Sequence, residues 1–194
     1  MVQVKKPEVE QAITKAAYEL FKTHGYSGTR MPQIAKAAKV SAANIYVYFD
    51  SKLDILISVY QNWFTEQLAE IRQHVVGCKN HSEALYELFI AIWQTLPAAD
   101  GGFCGTLIEA LSDRSNKDKY SKLLRAPTDR AIDQMLAHCL PSAPAQARQS
   151  ISTMLIMAFD GYAVNFHLKN GQKADANEIK LLCDVILTAY PPQG

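Results

Sequence analysis

The chain has 194 residues, a formal net charge of +1, 48% apolar residues and 20% charged residues. These are ordinary proportions for a globular protein of one or two domains, and they exclude a disulfide-rich chain. No apolar run approaches the roughly 20 residues that a membrane-spanning helix needs, and the N-terminus has no apolar leader, so we expect a cytoplasmic protein.

An all-α fold of about nine helices is predicted, because strand-like alternation and hairpin turns between apolar runs are absent. The predicted helices cover residues 7–24, 30–38, 42–48, 52–76, 82–96, 103–112, 117–140, 145–169 and 176–189. Segments 77–81, 97–102 and 141–144 carry the Pro and Gly residues that interrupt helices. Thr29, Ser41 and Ser51 are the expected N-caps of the second, third and fourth helices.

The second and third helices are short and separated by a tight break, which is the layout of a helix-turn-helix. Residues 1–55 hold eight Lys or Arg against five Asp or Glu, a net charge of +3, whereas the remainder has a net charge of −2. A locally positive surface attracts a polyanion. We therefore predict a DNA-binding domain over residues 1–52 and a second helical domain over residues 53–194.

The exposed side of the third predicted helix supplies most candidate DNA contacts. Its first turn has small side chains, so its positive dipole end can approach phosphates or base edges. Asn44 has two interpretations, as an adenine contact or as a local helix cap, and Tyr48 either reaches a phosphate or packs on the fourth helix. The predicted DNA-binding set is Thr29, Arg30, Lys39, Ser41, Ala42, Ala43, Asn44, Tyr46, Val47, Tyr48 and Lys52.

One extended motif runs through this region. It reads Ala16-Ala17-x-x-Leu20-Phe21-x-x-x-Gly25-Tyr26, then Thr29, then Ile34-Ala35-x-x-Ala38-x-Val40-Ser41, then Ile45-Tyr46-x-Tyr48-Phe49-x-Ser51-Lys52-x-x-Ile55-Leu56. The pattern resembles the TetR family of bacterial transcriptional regulators. The family usually has Gly where this chain has Lys39, and often has Gly at the place of Ala43. Because only glycine adopts left-handed backbone angles freely, we predict an altered or strained backbone angle at Lys39.

The resemblance implies that the C-terminal domain dimerises through its last two helices and encloses an effector pocket. The eighth predicted helix is apolar almost all round and the ninth has one strong apolar stripe, as a two-fold four-helix interface requires. The implied dimer interface is Met157, Gly161, Val164, Ile179, Leu182, Cys183 and Ile186. The implied pocket lining, a set that a plain hydrophobic core also explains, is Tyr86, Phe89, Trp93, Phe103, Leu107, Met154, Phe159, Tyr162 and Phe166.

The resemblance further implies a repressor that leaves a palindromic operator in double-stranded DNA when a small apolar effector binds. Such a protein works in the bacterial cytoplasm and lies at the nucleoid while bound to DNA. One alternative is a redox-sensing regulator acting through Cys104, whose glycine-flanked, helix-starting position would lower a thiol pKa.

The second alternative is an all-helical enzyme. The chain has no nucleophile elbow, phosphate loop, dinucleotide fingerprint or histidine pair at metal-binding spacing. We therefore predict no catalytic residue, no metal ligand and no cofactor, and four scattered cysteines in the reduced state.

Overall fold

In a computed structural model of the chain, the described residues are 5–111, 124–168 and 171–192, and they form helices and turns with no strand among them. The helices are α1 (Pro7–Gly28), α2 (Met31–Ala37), α3 (Ala42–Tyr48), α4 (Lys52–Val76), α5 (His81–Ile90), α6 (Leu96–Ala99), α7 (Phe103–Leu111), α8 (Ala126–Cys139), α9 (Ala145–Leu168) and α10 (Ala176–Ala189). The all-α prediction is confirmed. Among the described helices, none has the length and apolar character that crossing a membrane requires.

Most predicted helices are present, and α3, α4 and α10 have the predicted bounds. Residues 112–123 and 169–170, which include the start of the predicted helix 117–140, lie outside the described residues. The loop predicted at 97–102 begins later than expected. A π-helical stretch, Ala91–Thr95, links α5 directly to α6, and Pro97 lies at the second residue of α6.

The C-terminal end of α1 contains a kink that the sequence pattern placed only approximately. Gly25 has φ 67° and ψ −176°, and one further helical turn follows it. The Thr29 side chain is fully buried, and its hydroxyl donates to the carbonyls of Leu20 at 3.2 Å and Gly25 at 2.8 Å. The predicted capping role of Thr29 is therefore wrong, because Arg30 is the residue at the N-cap of α2.

The described residues divide into two compact units. The head unit falls within Met1–Phe64 together with Phe103–Leu124, and the C-terminal unit within Thr65–Gly102 together with Arg125–Gly194. Helix α7 thus packs with the head, although it is distant from it in sequence. The predicted domain boundary after residue 52 concerns function rather than packing, and it stays a prediction.

The head unit has a closed apolar core in which aromatic rings fasten α7 to α1 and α4. The ring of Phe103 on α7 lies 5.6 Å from that of Tyr18, 6.4 Å from Phe21 and 5.9 Å from Tyr60. Beneath them, α1, α2 and α3 close on each other through the buried residues Ile13, Ala17, Phe21, Ile34, Ala35 and Ile45. This burial supports the short helices α2 and α3, which are too short to be stable alone.

The core of the C-terminal unit joins α5 and the π-helical stretch to α9. The indole of buried Trp93 lies 4.9 Å from the ring of Phe89 and 5.4 Å from that of Tyr162. Its Nε1–H donates to the backbone carbonyl of Leu155 at 3.0 Å. A buried indole N–H needs such a partner, so this hydrogen bond fixes the packing of the two helices.

Candidate DNA-binding surface

The turn between α2 and α3 is built around a left-handed lysine. Lys39 has φ 57°, and no other non-glycine residue in the described ranges has a positive φ. The Val40 N–H donates to the Ala35 carbonyl at 3.0 Å and the Lys39 N–H to the Lys36 carbonyl at 3.2 Å. These are the two hydrogen bonds of a Schellman motif, whose left-handed position usually holds glycine. The predicted unusual backbone angle at Lys39 is confirmed.

Helix α3 begins at an N-cap of the predicted kind. The Ser41 hydroxyl accepts a hydrogen bond from the Asn44 N–H at 3.1 Å. Ser41, Ala42 and Ala43 are all exposed, so the first turn of α3 is open to a ligand. The prediction that this turn approaches DNA remains a prediction, and its geometry is suitable.

Tyr46 is the most prominent side chain on this surface. It is 56% exposed, whereas the preceding residue, Ile45, is completely buried. The predicted exposure of Tyr46 is confirmed, and Val47 beside it is half-buried. An exposed aromatic ring with a hydroxyl at its tip suits contact with phosphate and sugar.

Tyr48 is tied to the beginning of α1 rather than extended into solvent. Its hydroxyl accepts the Lys6 N–H at 3.0 Å, and the Lys5 ammonium donates to the Tyr48 carbonyl at 3.3 Å. The hydroxyl retains its own hydrogen for donation to a phosphate. Lys5 and Lys6 therefore lie beside the end of α3, and they are missing from the predicted set although consecutive lysines before Pro7 signal a local positive charge.

Asn44 is half-buried, and its Oδ1 is buried without a hydrogen-bond partner among the described residues. Its side chain does not cap α3, because Ser41 already does so. Buried polar atoms without partners are uncommon in folded proteins. Of the two interpretations of Asn44, the local cap is therefore wrong, and the contact with adenine stays a prediction.

Two other predicted DNA contacts are used inside the head. The Lys52 ammonium donates to the carbonyls of Tyr26 at 2.6 Å and Thr29 at 2.8 Å, and it lies 4.1 Å from the centre of the Tyr26 ring. Burial lowers the pKa of Lys52, and nearby Glu109 opposes this effect. Lys52 is thus a brace on the connection between α1 and α2, and the buried Thr29 faces away from solvent.

The remaining predicted cations are exposed. Arg30 and Lys39 are both open to solvent, and the Arg30 N–H donates to Gln33 Oε1 at 2.7 Å at the start of α2. Between Leu20 and Phe49 the sequence contains four basic residues and no acidic residue. This surface can therefore bind a polyanion such as a DNA backbone.

The predicted dimer residues divide between surface and interior. Met157 is 64% exposed, and Leu182 and Gly161 are also exposed, whereas Ile179 and Cys183 are buried within the C-terminal unit. Val164 and Ile186 are half-buried. Four further large apolar side chains of α9 and α10 are exposed although they are absent from the predicted set, namely Met154, Leu168, Leu181 and Val185.

The predicted pocket lining is also divided. Phe103 and Leu107 are buried in the head unit, while Phe89, Trp93 and Phe159 are buried in the C-terminal unit. Tyr162 and Phe166 are half-buried. Met154 is 65% exposed on the surface of α9 and does not line an interior cavity.

Tyr86, a member of the predicted pocket set, lines an open cleft. This cleft lies between α5 and α10, has a volume of about 420 Å³, and is lined by Ser82, Glu83, Tyr86, Lys180, Cys183, Asp184 and Leu187. Polar and charged side chains stand around the cleft, but most of its exposed lining surface is apolar.

Burial determines the chemistry of the thiols and of one carboxyl group. It raises the pKa of Cys139 and of Cys183 to about 12, which keeps both thiols protonated. Cys104 stands in the first turn of α7, as expected, but it is buried and thereby shielded from an oxidant. Burial also raises the pKa of Asp160 to about 6, against the opposing charge of Arg125. Nothing in the sequence pattern singled out Asp160.

Residues 13–59 match the family model described as bacterial regulatory proteins of the tetR family. The chain is 30% identical over 135 residues to the HTH-type transcriptional regulator HbdR of Aromatoleum sp. strain CIB, covering 68% of this chain and 58% of the relative. It is 36% identical over 84 residues to the HTH-type transcriptional repressor NicS of Pseudomonas putida, covering 42% and 38%. The chain thus covers 58% of the length of HbdR and 38% of the length of NicS.

Solved structures extend the similarity to nearly the whole chain. FadR from Bacillus halodurans superimposes with a TM-score of 0.67 at 24% identity, covering 93% of this chain and 96% of that one. Thermus thermophilus FadR in complex with lauroyl-CoA gives 0.70 at 19% identity, covering 95% and 96%. Bacillus subtilis FadR in complex with stearoyl-CoA gives 0.64 at 23% identity, covering 89% and 96%. Similarity at this level shows a shared fold.

Proposed function

Because the chain belongs to the TetR family of bacterial regulatory proteins, we propose that it is a transcriptional repressor. In this proposal a homodimer binds a palindromic operator through α3 of each copy, and an effector bound in the C-terminal part releases it. The molecule does its work in the cytoplasm, at the nucleoid when DNA is bound.

The exposed edge of α3 is the observation that carries the proposal. Its first turn is open and small, and exposed Tyr46 follows the buried Ile45 that anchors the helix. An α-helix presented in this way fits the major groove, where base edges differ between sequences. Arg30, Lys39 and Lys5 are the proposed phosphate contacts around it, and such contacts orient a helix without reading sequence.

The exposed apolar side chains of α9 and α10 support the homodimer. Met157, Leu181 and Val185 are large apolar side chains in solvent, and a Cβ added to Gly161 would meet nothing within 4 Å. Two copies related by a two-fold axis would cover these side chains, and the glycine would permit close approach of the helices. Paired α3 helices would then read two half-sites about 34 Å apart along the DNA.

An acyl-CoA thioester is the proposed effector class. Two proteins that share this fold have structures in complex with an acyl-CoA. These are FadR from B. subtilis with stearoyl-CoA and FadR from T. thermophilus with lauroyl-CoA. In this chain the interior of the C-terminal unit is rich in aromatic and aliphatic side chains, which suit an acyl chain. A ligand lowers operator affinity if it binds another conformation of the dimer more tightly than the operator-bound conformation. The size of the effect is set by the difference between the two ligand-binding free energies.

Selection of bound duplexes from a random pool tests the DNA-binding part. We expect enrichment of inverted repeats by the purified chain, and binding that weakens steeply with salt because counterions are released. Tyr46→Ala should weaken binding to the selected operator about fivefold or more, while Tyr46→Phe separates the contribution of the ring from that of the hydroxyl. A monomeric preparation that enriches no duplex would end the proposal.

Addition of lauroyl-CoA to the operator complex tests the effector class. Release of DNA and a raised melting temperature are the expected results, with free CoA and laurate as controls. If neither lauroyl-CoA nor stearoyl-CoA changes operator affinity, the effector class is wrong while the DNA-binding proposal stands.

A further inference from the structure

The kink in α1 presents two adjacent amide groups to one carboxylate. The interruption at Gly25 is followed by Tyr26 and Ser27, whose N–H groups lie near the side chain of Glu109 on α7. Glu109 Oε2 accepts the Tyr26 N–H at 3.1 Å, and Glu109 Oε1 accepts the Ser27 N–H at 3.3 Å. A carboxylate held by a pair of consecutive amides is a directional, charge-assisted contact.

The electrostatics favour the ionised carboxylate. A hydrogen bond from the Ser27 side chain is the largest influence lowering the pKa of Glu109, and the two backbone amides and the charge of Lys52 act in the same direction. A Cβ built on Gly25 would lie 3.4 Å from Glu109 Oε2. Gly25 therefore provides both the left-handed backbone angle and the close approach of the carboxylate.

Residues 25–29, which run from the kink in α1 to its C-cap, are held from two directions. Glu109 accepts its N–H groups from α7, and Lys52 on α4 donates to its carbonyls, those of Tyr26 and Thr29. The Glu109 carboxylate therefore binds N–H groups, the positive ends of peptide dipoles, and the Lys52 ammonium binds carbonyl groups, the negative ends. Only Arg30 separates this segment from α2, so the geometry of residues 25–29 sets where α2 and α3 begin.

Helix α7 belongs to the head unit, although the chain belongs to the C-terminal unit both before and after it. Gly102 before it and Arg125 after it are the nearest residues in sequence that belong to the C-terminal unit. Phe103 attaches α7 to the head through ring contacts, which tolerate sliding because apolar packing has no fixed direction. The paired amide bonds of Glu109 weaken once a donor moves by about 0.5 Å or changes its angle.

We propose that Glu109 is the positioning residue that couples α7 to the DNA-reading helices, and this inference rests on the proposed function. Its carboxylate holds residues 25–29 in the geometry that presents α3 to the operator. Loss of the paired bonds lowers operator affinity while the head stays folded.

Neutralising Glu109 tests this coupling, because simple electrostatics and the coupling predict opposite signs. Removing a negative charge near DNA should by itself tighten binding. If the coupling is real, Glu109→Gln should instead raise the operator Kd about fivefold or more, the low end of coupling between sites. The matched control is Glu19→Gln, which removes the charge of an exposed glutamate on α1 and should leave binding unchanged or slightly tighter.

Amide hydrogen exchange and melting temperature accompany the affinity measurement. We expect faster exchange at Tyr26 and Ser27 in Glu109→Gln, with the rest of the head protected and the variant folded at 25 °C. Ser27→Ala removes only the hydroxyl bond and should shift Kd in the same direction by a smaller factor.

Two outcomes would overturn the inference in distinguishable ways. If the wild-type chain binds the operator and folded Glu109→Gln binds it equally well or better, Glu109 does not position the head. If the wild-type chain selects no duplex, the proposed function fails and the inference fails with it.

Discussion

Replacing Lys39 tests how much strain the helix-turn-helix stores. Lys39 occupies the left-handed position of the Schellman motif that ends α2, with φ 57°. Glycine has no Cβ and adopts this angle freely, whereas alanine retains the clash between Cβ and backbone. Lys39→Gly and Lys39→Ala both remove the cation, so the difference between them isolates the backbone strain.

The magnitude follows from two opposing contributions. An L-residue in the left-handed region costs about 1–2 kcal/mol, and glycine removes that cost. Glycine also raises the entropy of the unfolded chain, which costs about 0.5–1 kcal/mol. We expect Lys39→Gly to stabilise the protein by about 0.5–1 kcal/mol, and Lys39→Ala to change its stability by less than about 0.5 kcal/mol.

Urea unfolding followed by far-UV circular dichroism measures both variants. The midpoint should rise for Lys39→Gly at constant m-value, with a melting temperature about 1–4 °C higher. Lys39→Asn should lie between the two, because asparagine tolerates the left-handed region. Equal stability of the Gly and Ala variants would show that the turn is unstrained, and the interpretation of φ at Lys39 would be refuted.

Three further predictions concern the C-terminal unit. Because burial raises the pKa of Asp160 from 3.8 to about 6, its ionised form opposes folding, so stability falls as pH rises through that interval. Asp160→Asn should therefore stabilise the protein at pH 8 by about 1–2 kcal/mol after allowance for partial exposure, with the gain vanishing below about pH 4 in urea melts. Met157→Glu should weaken self-association about tenfold in sedimentation equilibrium while monomer stability changes little; Val76→Glu is the control at a similarly exposed position (55%). Trp93→Phe should cost about 2 kcal/mol in urea unfolding, because it removes a buried hydrogen bond and leaves a small cavity; an unchanged midpoint would mean that the indole N–H contributes nothing.

The parts of the head that depend on local chemistry were predictable. The bounds of α3, its cap at Ser41 and the unusual angle at Lys39 each follow from a residue and its immediate neighbours in sequence. Exposure of Tyr46 follows from its place next to the core residue Ile45. Such features can be predicted from sequence because they depend on residues within one helical turn and not on distant partners.

Side-chain roles that depend on distant partners were not predictable. Thr29 has the residue type of a helix cap, yet it is buried and donates to carbonyls of α1. Lys52 has the residue type of a phosphate contact, yet its ammonium is bonded to two carbonyls inside the head. The hydroxyl and the ammonium are strong donors in either setting, so composition alone cannot separate a surface role from an internal one.

The membership of α7 in the head unit shows the same limit on a larger scale. The sequence-based prediction placed α7 in the second domain, residues 53–194. The contact that binds α7 to α1 joins Glu109 to Tyr26, which is 83 residues away in sequence. Such a pair has no periodicity and no spacing rule, because a carboxylate needs only two amides that a glycine has turned toward it. The folded chain thus brings a carboxylate to the kink of α1, and Glu109→Gln measures whether that carboxylate is needed for DNA binding.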